Sequence, residues 1–321
     1  MTAVTALDND MLDMLRTSLR HVLTEASDQP LAARLDDLGW ADVVAGDPAT
    51  ALRTLFEIKG ETASAADALG PELTRVLVAA TGDDSLTGAI VGLASPFGDS
   101  AVDDRRLSID VITLSPVGDR LVVVPVGSRL AICSSQLLVA ERLTGTDETL
   151  GGSRLTGLVT TDQVRWIDGD AHDQIVTRGR WLVACELIGI GRHVTASAVA
   201  YTGERVQYGK PIGIFQALQH RLASAHAMVV GAGHLAAEAS TDGDVWTALV
   251  AKCIAGQAAE FACTQAQQCY GAIGFTWEHE FHRYLRRAYV LDGLFGSWRT
   301  LEHEIGMRLQ STGVVPHIGT L

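Results

Sequence analysis

A regular stripe of apolar residues in the carboxy-terminal half of the 321-residue chain is the strongest constraint on its fold. Its members recur at steps of three and four residues, which places them on one face of a long helix. Alanine and glycine near the stripe allow neighbouring helices to approach closely. The stripe therefore predicts helix-on-helix packing. Its residues are Phe215, Leu218, Leu222, Ala225, Val229, Ala232 and Ala236.

Three further long helices are predicted around this one. The first runs from about residue 172 to 207, and the striped helix follows with Pro211 at its first position. The third covers about 244–270, and a glycine-bearing turn at 271–274 separates it from a fourth that reaches about residue 310. Four helices of this length joined by short turns indicate a four-helix bundle over residues 171–321.

The rest of the chain divides into two regions with different residue patterns. Residues 1–84 show helical periodicity, as in Met11, Leu15 and Leu19. Residues 85–170 contain short runs rich in Val, Ile, Leu and Thr, separated by Gly, Pro, Asp and Ser, which predicts a compact β domain of about six strands. The expected fold class is mostly α with a small β domain, in the order amino-terminal helical domain, reduced middle β domain and carboxy-terminal bundle.

Composition excludes several functions. With 25 Lys and Arg against 38 Asp and Glu, the net charge is −13, which argues against a general nucleic-acid binder. Apolar runs are interrupted before the roughly 18 residues that a membrane helix needs, and the amino terminus lacks the pattern of a signal peptide. Five cysteines without a CxxC pair suit a reducing compartment, so we expect a cytoplasmic protein.

Two motifs that suggest ligand sites are incomplete. His279 and His282 are three residues apart, one short of the zinc-protease helix that places two imidazoles on one face. Gly189 and Gly191 suggest a dinucleotide-binding loop, but the third glycine and the preceding strand are missing. We therefore predict no metal site, and small residues inside a packed helix at the glycine pair.

Two segments carry a more specific pattern. Residues 205–220 read RVQYGKPIGIFQALQH, and residues 268–288 read QCYGAIGFTWEHEFHRYLRRA. Together they resemble the acyl-CoA dehydrogenase family, flavoenzymes that oxidise the α–β bond of acyl thioesters. The resemblance covers the whole chain in domain order and is strongest from residue 172 onward. It implies that the fold is acyl-CoA dehydrogenase-like and that the bundle reaches towards an FAD held by a neighbouring subunit.

The resemblance also implies which residues contact FAD. Its R-x-x-[FY]-G…F-Q pattern falls on an arginine that suits the pyrophosphate, because a guanidinium binds phosphate oxygens in pairs. The Q-x-x-G-G turn is present with one glycine replaced by Ala272. A glycine and a hydroxyl are also retained beside the position of the family's catalytic base. The implied cofactor-binding residues are Arg205, Phe215, Gln216, Gln268, Gly271, Ala272, Gly296 and Ser297.

The family's catalytic carboxylate has no counterpart. One family position for this base, which takes the α-proton, falls on Phe295, and the alternative position falls on Gly179 beside Arg180. The loop of the middle domain that holds flavin in the family is reduced to Ser95-Pro96-Phe97-Gly98-Asp99. We therefore assign no catalytic residue, and a complete flavin pocket within this chain is not expected.

Three readings follow from this pattern. The favoured one is the short, base-lacking subunit of an α2β2 heterotetramer, resembling actinobacterial acyl-CoA dehydrogenases of sterol catabolism. It would complete the FAD site of a full-length partner that binds the acyl-CoA, with an electron-accepting flavoprotein as a further partner. The alternatives are a homomeric flavoenzyme with a displaced base among Glu186, Glu302 and Glu304, and a structural protein without flavin.

Overall fold

The computed structural model describes residues 7–27 and 29–316, which cluster into two compact units. The first unit combines the residues up to Ala66 with Trp181–Asp292 and with the chain from Gly296 onward. The second combines Asp67–Arg180 with Gly293–Phe295. The division into three domains that follow one another along the chain remains a prediction. The two units are defined by which residues lie close together, and each contains separate segments of the chain.

Four amino-terminal helices belong to the first unit. Asp8 caps the first by accepting a hydrogen bond from Met11 N, and Asp47 caps the fourth, which has Pro48 at its first position. The fourth helix is the most buried of them, because its apolar side chains point into the core. The helices are α1 (Asn9–Thr24), α2 (Leu31–Asp36), α3 (Trp40–Gly46) and α4 (Pro48–Glu61).

The second unit contains α5 (Leu69–Thr81), the start of the long helix that begins at Ala171, and two sheets. Nine strands form them, three more than predicted, because several of the strands are only two or three residues long. One sheet has the order β1-β5-β6-β9, and the other has the order β2-β4-β8-β7 with β3 paired to β4. All pairs are antiparallel except β1 with β5. The strands are β1 (Ile90–Val91), β2 (Leu93–Ala94), β3 (Ala101–Asp103), β4 (Arg106–Thr113), β5 (Leu121–Val126), β6 (Arg129–Ser134), β7 (Val139–Arg142), β8 (Ser153–Thr160) and β9 (Arg165–Ile167).

The carboxy-terminal part contains five helices where four were predicted. The predicted fourth helix is divided, because Phe295 and Gly296 adopt φ angles of +59° and +100° that a helix does not accept. The striped helix also begins later than Pro211, after a short hairpin whose turn residues Tyr208 and Gly209 have positive φ. The elements are α6 (Ala171–Glu204), β10 (Val206–Gln207), β11 (Lys210–Pro211), α7 (Gln216–Asp242), α8 (Val245–Tyr270), α9 (Phe281–Gly293) and α10 (Trp298–Thr312).

The apolar stripe of α7 lies largely inside the bundle. Leu222, Ala225 and Val229 are each no more than 7% exposed, whereas Phe215 at the start of the helix is 42% exposed. A Cβ added to Gly191 of α6 would lie 2.7 Å from the Val229 side chain, so α6 and α7 are in close contact there. The stripe therefore packs against this chain's own helices, and only its first turn faces solvent.

Helices α4 and α6 cross with their backbones in contact. A Cβ added to Gly60 would lie 2.0 Å from the carbonyl oxygen of Glu186, and one added to Gly189 would lie 2.0 Å from that of Glu57. Only glycine permits so close an approach at either position. The Gly189–Gly191 pair thus serves helix packing on two sides of α6, as the sequence indicated.

Helix α6 is the one described helix that is long and apolar enough to span a membrane. Its best 18-residue window has a mean hydropathy of 1.3, which the shorter uninterrupted apolar runs in the sequence did not indicate. Within the protein, 72% of that window is buried. The composition of α6 is thus accounted for by its place in the core.

Candidate functional site

Two antiparallel helices bring six of the eight predicted cofactor residues to one end of the bundle. Arg221 of α7 donates to Gln265 Oε1 of α8 at 2.7 Å, which fixes the register of the pair. The start of α7 and the end of α8 therefore lie together. The Tyr201 ring of α6 is 5.2 Å from that of Tyr270, so the end of α6 lies there too. We call this region the hairpin end; its predicted residues are Arg205, Phe215, Gln216, Gln268, Gly271 and Ala272.

The chemistry of the hairpin end suits an anionic group. The side chains of Arg205, Gln216 and Gln268 are all exposed. Arg205 begins the hairpin, where its carbonyl accepts from Ile212 N at 2.8 Å. Gln216 opens the 27-residue helix α7, and the capping position is Phe215, whose side chain has no acceptor for the free N–H groups. A guanidinium, two amides and a helix N-terminus fit the pyrophosphate of FAD.

The glycine turn after α8 accommodates Ala272, which replaces the second glycine of the family's turn. Gly271 has φ +63° and ψ −137°, a conformation that side-chain-bearing residues avoid. Ala272 follows without a positive φ, and it is exposed. The conformational requirement of the turn thus falls on the glycine that is retained.

Gly296 and Ser297 lie elsewhere in the bundle. Lys252 of α8 donates to the Gly296 carbonyl at 3.2 Å. Lys252 precedes Gln268 by 16 residues, about 24 Å along the helix. Ser297 Oγ accepts from Thr300 N at 3.3 Å and so caps α10. The eight predicted residues therefore form two separate groups, and those at Gly296 and Ser297 do not share a pocket with the hairpin end.

The two positions where the family carries its base meet in the second unit. The Phe295 ring lies directly over Gly179, where an added Cβ would be 2.2 Å from Phe295 Cζ. Arg180 Nε donates to the Phe295 carbonyl at 3.3 Å. No side-chain carboxylate or imidazole is present at either position. The sequence identified these two positions separately; their contact could not be found from spacing alone, because they lie 116 residues apart in the sequence.

The three carboxylates considered as displaced bases have different surroundings. Glu186 is 2% exposed, and its Oε1 lies 2.6 Å from Lys59 Nζ and 3.4 Å from Arg287 Nη1. Arg287 also donates to the Ser64 carbonyl at 2.8 Å. Glu186 therefore belongs to a buried ion-pair network, in which Lys59 and Arg287 were not recognised from sequence. The available signal was a lysine next to Ile58 in a stretch whose apolar residues indicate burial.

The other two carboxylates lie on α10. Glu304 accepts from Arg308 one turn further along the helix at 2.8 Å, and Glu302 is exposed. Neither side chain lies in an enclosed apolar pocket. Their geometry is that of surface residues.

His279 and the five cysteines have structural surroundings. His279 Nδ1 accepts from Phe281 N at 3.1 Å at the start of α9. All five cysteines are buried and unpaired as disulfides, and burial raises the pKa of Cys263 to about 12 and that of Cys133 to about 11. A thiol with so high a pKa is a poor nucleophile. Over residues 7–27 and 29–316, no three His, Cys, Asp or Glu side chains are grouped as metal ligands.

The reduced flavin loop of the middle domain is held from within its own unit. Arg154 binds Asp110 with its Nε 2.9 Å from Oδ1, and its guanidinium carbon lies 4.9 Å from the Phe97 ring centroid. Arg154, followed by Ser95, keeps the pKa of Asp110 below its ordinary value. The side chains of Ser95 and Phe97 in this loop thus contact Asp110 and Arg154, which belong to the same unit.

The fold is shared with solved acyl-CoA dehydrogenases. The ChsE4–ChsE5 complex from Mycobacterium tuberculosis matches with a TM-score of 0.75 at 19% identity, over 99% of this chain and 99% of that chain. A variant of the Tcur3481–Tcur3483 steroid ACAD matches with a TM-score of 0.72 at 21% identity, over 95% of this chain and 99% of that chain. The chain has the acyl-CoA dehydrogenase fold, mostly α with a small β region, as predicted.

The sequence of the carboxy-terminal region carries the family relationship. Residues 171–309 match the family model of the acyl-CoA dehydrogenase C-terminal domain. Acyl-CoA dehydrogenase IpdE2 from Mycobacterium tuberculosis is 36% identical over 132 residues, which are 40% of this chain and 40% of IpdE2. Residues 171–309 are therefore similar to the carboxy-terminal domain of acyl-CoA dehydrogenases, which confirms the resemblance over that region. The match spans only two fifths of that relative's length.

Proposed function

We propose that this chain is the non-catalytic subunit of a heteromeric, FAD-dependent acyl-CoA dehydrogenase. The full-length partner subunit provides the base and binds the acyl-CoA, and this chain completes the partner's FAD site in an α2β2 assembly. The reaction is α,β-dehydrogenation of an acyl-CoA thioester, with steroid-derived acyl groups as the preferred class. A separate flavoprotein accepts the electrons, and the complex is cytoplasmic.

The contact of Phe295 with Gly179 is the observation that carries this proposal. Proton abstraction needs a positioned acceptor within hydrogen-bond reach of the substrate. At these two positions the chain has a phenyl ring and a glycine. The ring fills the volume over Gly179, so a carboxylate side chain at position 179 has no room while Phe295 is present.

The hairpin end supports the second half of the proposal. When FAD is bound there, it supplies the hydride acceptor of the reaction. Arg205 would hold a pyrophosphate oxygen pair, and Gln216 and Gln268 would donate amide hydrogens beside it. These groups point outward from the bundle, as expected of residues that complete a neighbour's site.

Names among the similar proteins favour the same assignment. One solved structure of the same fold is a two-protein complex, and another is described as a steroid ACAD with two components. These names support a heteromeric assembly and a steroid-type acyl group for this chain. They do so by analogy of fold and sequence.

The test compares flavin content alone and in complex. We would purify the chain by itself, then together with a full-length acyl-CoA dehydrogenase encoded beside it, and record mass by light scattering and the flavin absorbance of each. The expected result is little flavin in the isolated chain and one FAD per pair of different subunits in an active tetramer. Full flavin loading and turnover by the chain alone would contradict the proposal.

A further inference from the structure

The segment that follows the glycine turn connects the end of α8 to the start of α9. Residues 276–280, which we call the return segment, lie between the turn at Gly271–Phe275 and the first residue of α9. Thr276 N donates to the Ile273 carbonyl at 3.1 Å, and this hydrogen bond lies within the turn itself. The position of the return segment therefore depends on contacts with the surrounding helices.

His279 of the return segment contacts three helices. Its Nδ1 accepts a hydrogen bond from the main-chain N–H of Phe281, the first residue of α9, at 3.1 Å. Its ring centroid lies 4.3 Å from that of Tyr270, the last residue of α8, and 6.4 Å from that of Tyr201 on α6. One partly buried side chain thus links the return segment to α6, α8 and α9.

Tyr270 connects His279 to the turn that is assigned to FAD. Tyr270 is 4% exposed, and it immediately precedes Gly271, whose φ is +63°. A Cβ added to Gly274 would lie 3.0 Å from Tyr270 Cβ, so the turn packs against this tyrosine. The turn and the His279 ring therefore share Tyr270 as their support, and the position of one depends on the position of the other.

The hydrogen bond to Phe281 requires one form of the His279 imidazole. A main-chain N–H can only donate, so Nδ1 is the acceptor and carries no proton. An imidazolium donates from both of its nitrogens and accepts at neither. Protonation of His279 therefore breaks the bond that joins the return segment to α9.

Other ionisable groups surround His279. Burial raises the pKa of Tyr270, so its phenol stays neutral near pH 7. Glu280 Oε1 lies 3.8 Å from His193 Nε2 of α6, and His282 Nδ1 of α9 lies 2.9 Å from the His279 carbonyl oxygen. Because a change of pH acts on these groups as well, the effect of His279 is isolated only by comparison with a variant that lacks its imidazole.

We infer that His279 is a positioning residue for the FAD at the hairpin end. It holds the return segment against α6 and α8, so that Gly271 and Ala272 are already arranged for the cofactor before it binds. A site ordered in advance binds more tightly, because the ordering does not oppose binding. The imidazole acts through the turn and not by contact with FAD. This inference rests on the proposed function, since it concerns the FAD site that this chain completes.

Two substitutions of His279 test the role in the complex with the full-length partner. His279→Ala removes the acceptor and the ring, so the dissociation constant for FAD should rise about 5- to 10-fold. His279→Asn retains an oxygen that accepts from the N–H two residues further on, as asparagine does at the start of helices, and should stay within about twofold of the wild type. His303→Ala, at an exposed position of α10, is the control and should bind FAD like the wild type. Flavin fluorescence during titration of FAD into the cofactor-free complex measures each constant.

Two further readouts separate positioning from a general loss of structure. Lowering the pH from about 7.5 to about 5.5, through the range in which histidines titrate, breaks the bond to Phe281 in the wild type but not in His279→Asn. The wild-type dissociation constant should therefore rise about threefold more than that of the Asn variant. Hydrogen exchange of the main-chain amides of residues 271–281, measured without FAD at one pH, should be faster in His279→Ala than in the wild type or His279→Asn.

Each other outcome overturns the inference. If His279→Ala binds FAD like the wild type, or His279→Asn binds it as weakly as His279→Ala, the acceptor does not position the turn. If the wild type and the Asn variant respond equally to pH, Nδ1 is not the responsible atom. If hydrogen exchange changes while the affinity for FAD does not, His279 orders the turn without serving the cofactor. In these cases the wild-type complex still binds FAD and the proposed function stands, whereas a wild-type complex that binds no FAD refutes the proposed function and this inference with it.

Discussion

Single residues decide whether a carboxylate of this chain is available for chemistry. Glu186 shows why the sequence was insufficient: a solvated or salt-bridged role was the default expectation and a displaced base the alternative, but the partners of the carboxylate could not be named from sequence. Its two cations come from α4 and α9, far away in the sequence, so only the folded chain reveals them. The burial of all three groups identifies Glu186 as part of the core.

Glu186→Gln should destabilise the protein strongly. The variant keeps the shape of the side chain but leaves Lys59 and Arg287 without their shared counter-charge, which typically costs about 3–5 kcal/mol in the free energy of unfolding. Urea denaturation followed by circular dichroism measures this loss. Glu302→Gln is the control, and a surface change of this kind stays within about 0.5 kcal/mol. Turnover per folded complex should be unaffected by either; its abolition in a folded, flavin-loaded Glu186→Gln complex would identify Glu186 as a displaced base.

At the scale of elements, helix periodicity predicted most of the bundle, and backbone conformation decided the remainder. The spacing of apolar residues located α6, α7 and α8, because burial of one helix face follows directly from that spacing. It could not predict the break between α9 and α10, since that break depends on the positive φ of Phe295, a residue that ordinarily continues a helix or strand. The two groups of cofactor residues were likewise separable only after the helices were paired.

The crossing of α4 and α6 gives a prediction about two glycines. Gly60→Ala and Gly189→Ala each place a methyl group 2.0 Å from a backbone oxygen, so the helices must separate, and we expect a loss of about 1–3 kcal/mol. Gly306→Ala on α10 is the control, because nothing lies within 4 Å of its added Cβ, and it should stabilise by about 0.5–1 kcal/mol. Thermal melting of the three variants measures these changes in stability, which should have opposite signs at the crossing and at the control. A gain in stability for Gly60→Ala would show that the two helices are not in contact.

At the scale of the whole molecule, the residues that the motifs assign to FAD at the hairpin end and the two positions that correspond to the family's base differ in exposure. Arg205 and its neighbours face solvent, whereas the positions of the base are filled by the chain's own side chains. The family motifs located both sets of positions in the sequence, because short fixed spacings survive in this chain. What the motifs could not predict is the contact between Phe295 and Gly179, because the two positions lie far apart in the sequence.

Arg205→Ala should lower the FAD occupancy of the assembled complex. A charge-assisted contact to phosphate is typically worth about 1.5–3 kcal/mol, so the affinity for FAD should fall by about 10- to 150-fold. Flavin absorbance after gel filtration and dialysis measures the occupancy. Lys210→Ala is the control, an exposed cation in the same hairpin that the motif does not assign to FAD. Equal flavin content in the Arg205 and Lys210 variants would reject the role of Arg205.

The ring of Phe295 over Gly179 also imposes an order on mutational history. Because a single Cβ at Gly179 would overlap the ring, a glutamate cannot arise there while the phenylalanine remains. A lineage that placed a carboxylate at position 179 would first have to replace Phe295 by a smaller residue, a step that by itself opens a cavity. Because that intermediate is less stable than its ancestor, the contact acts against the appearance of a carboxylate at this position of α6.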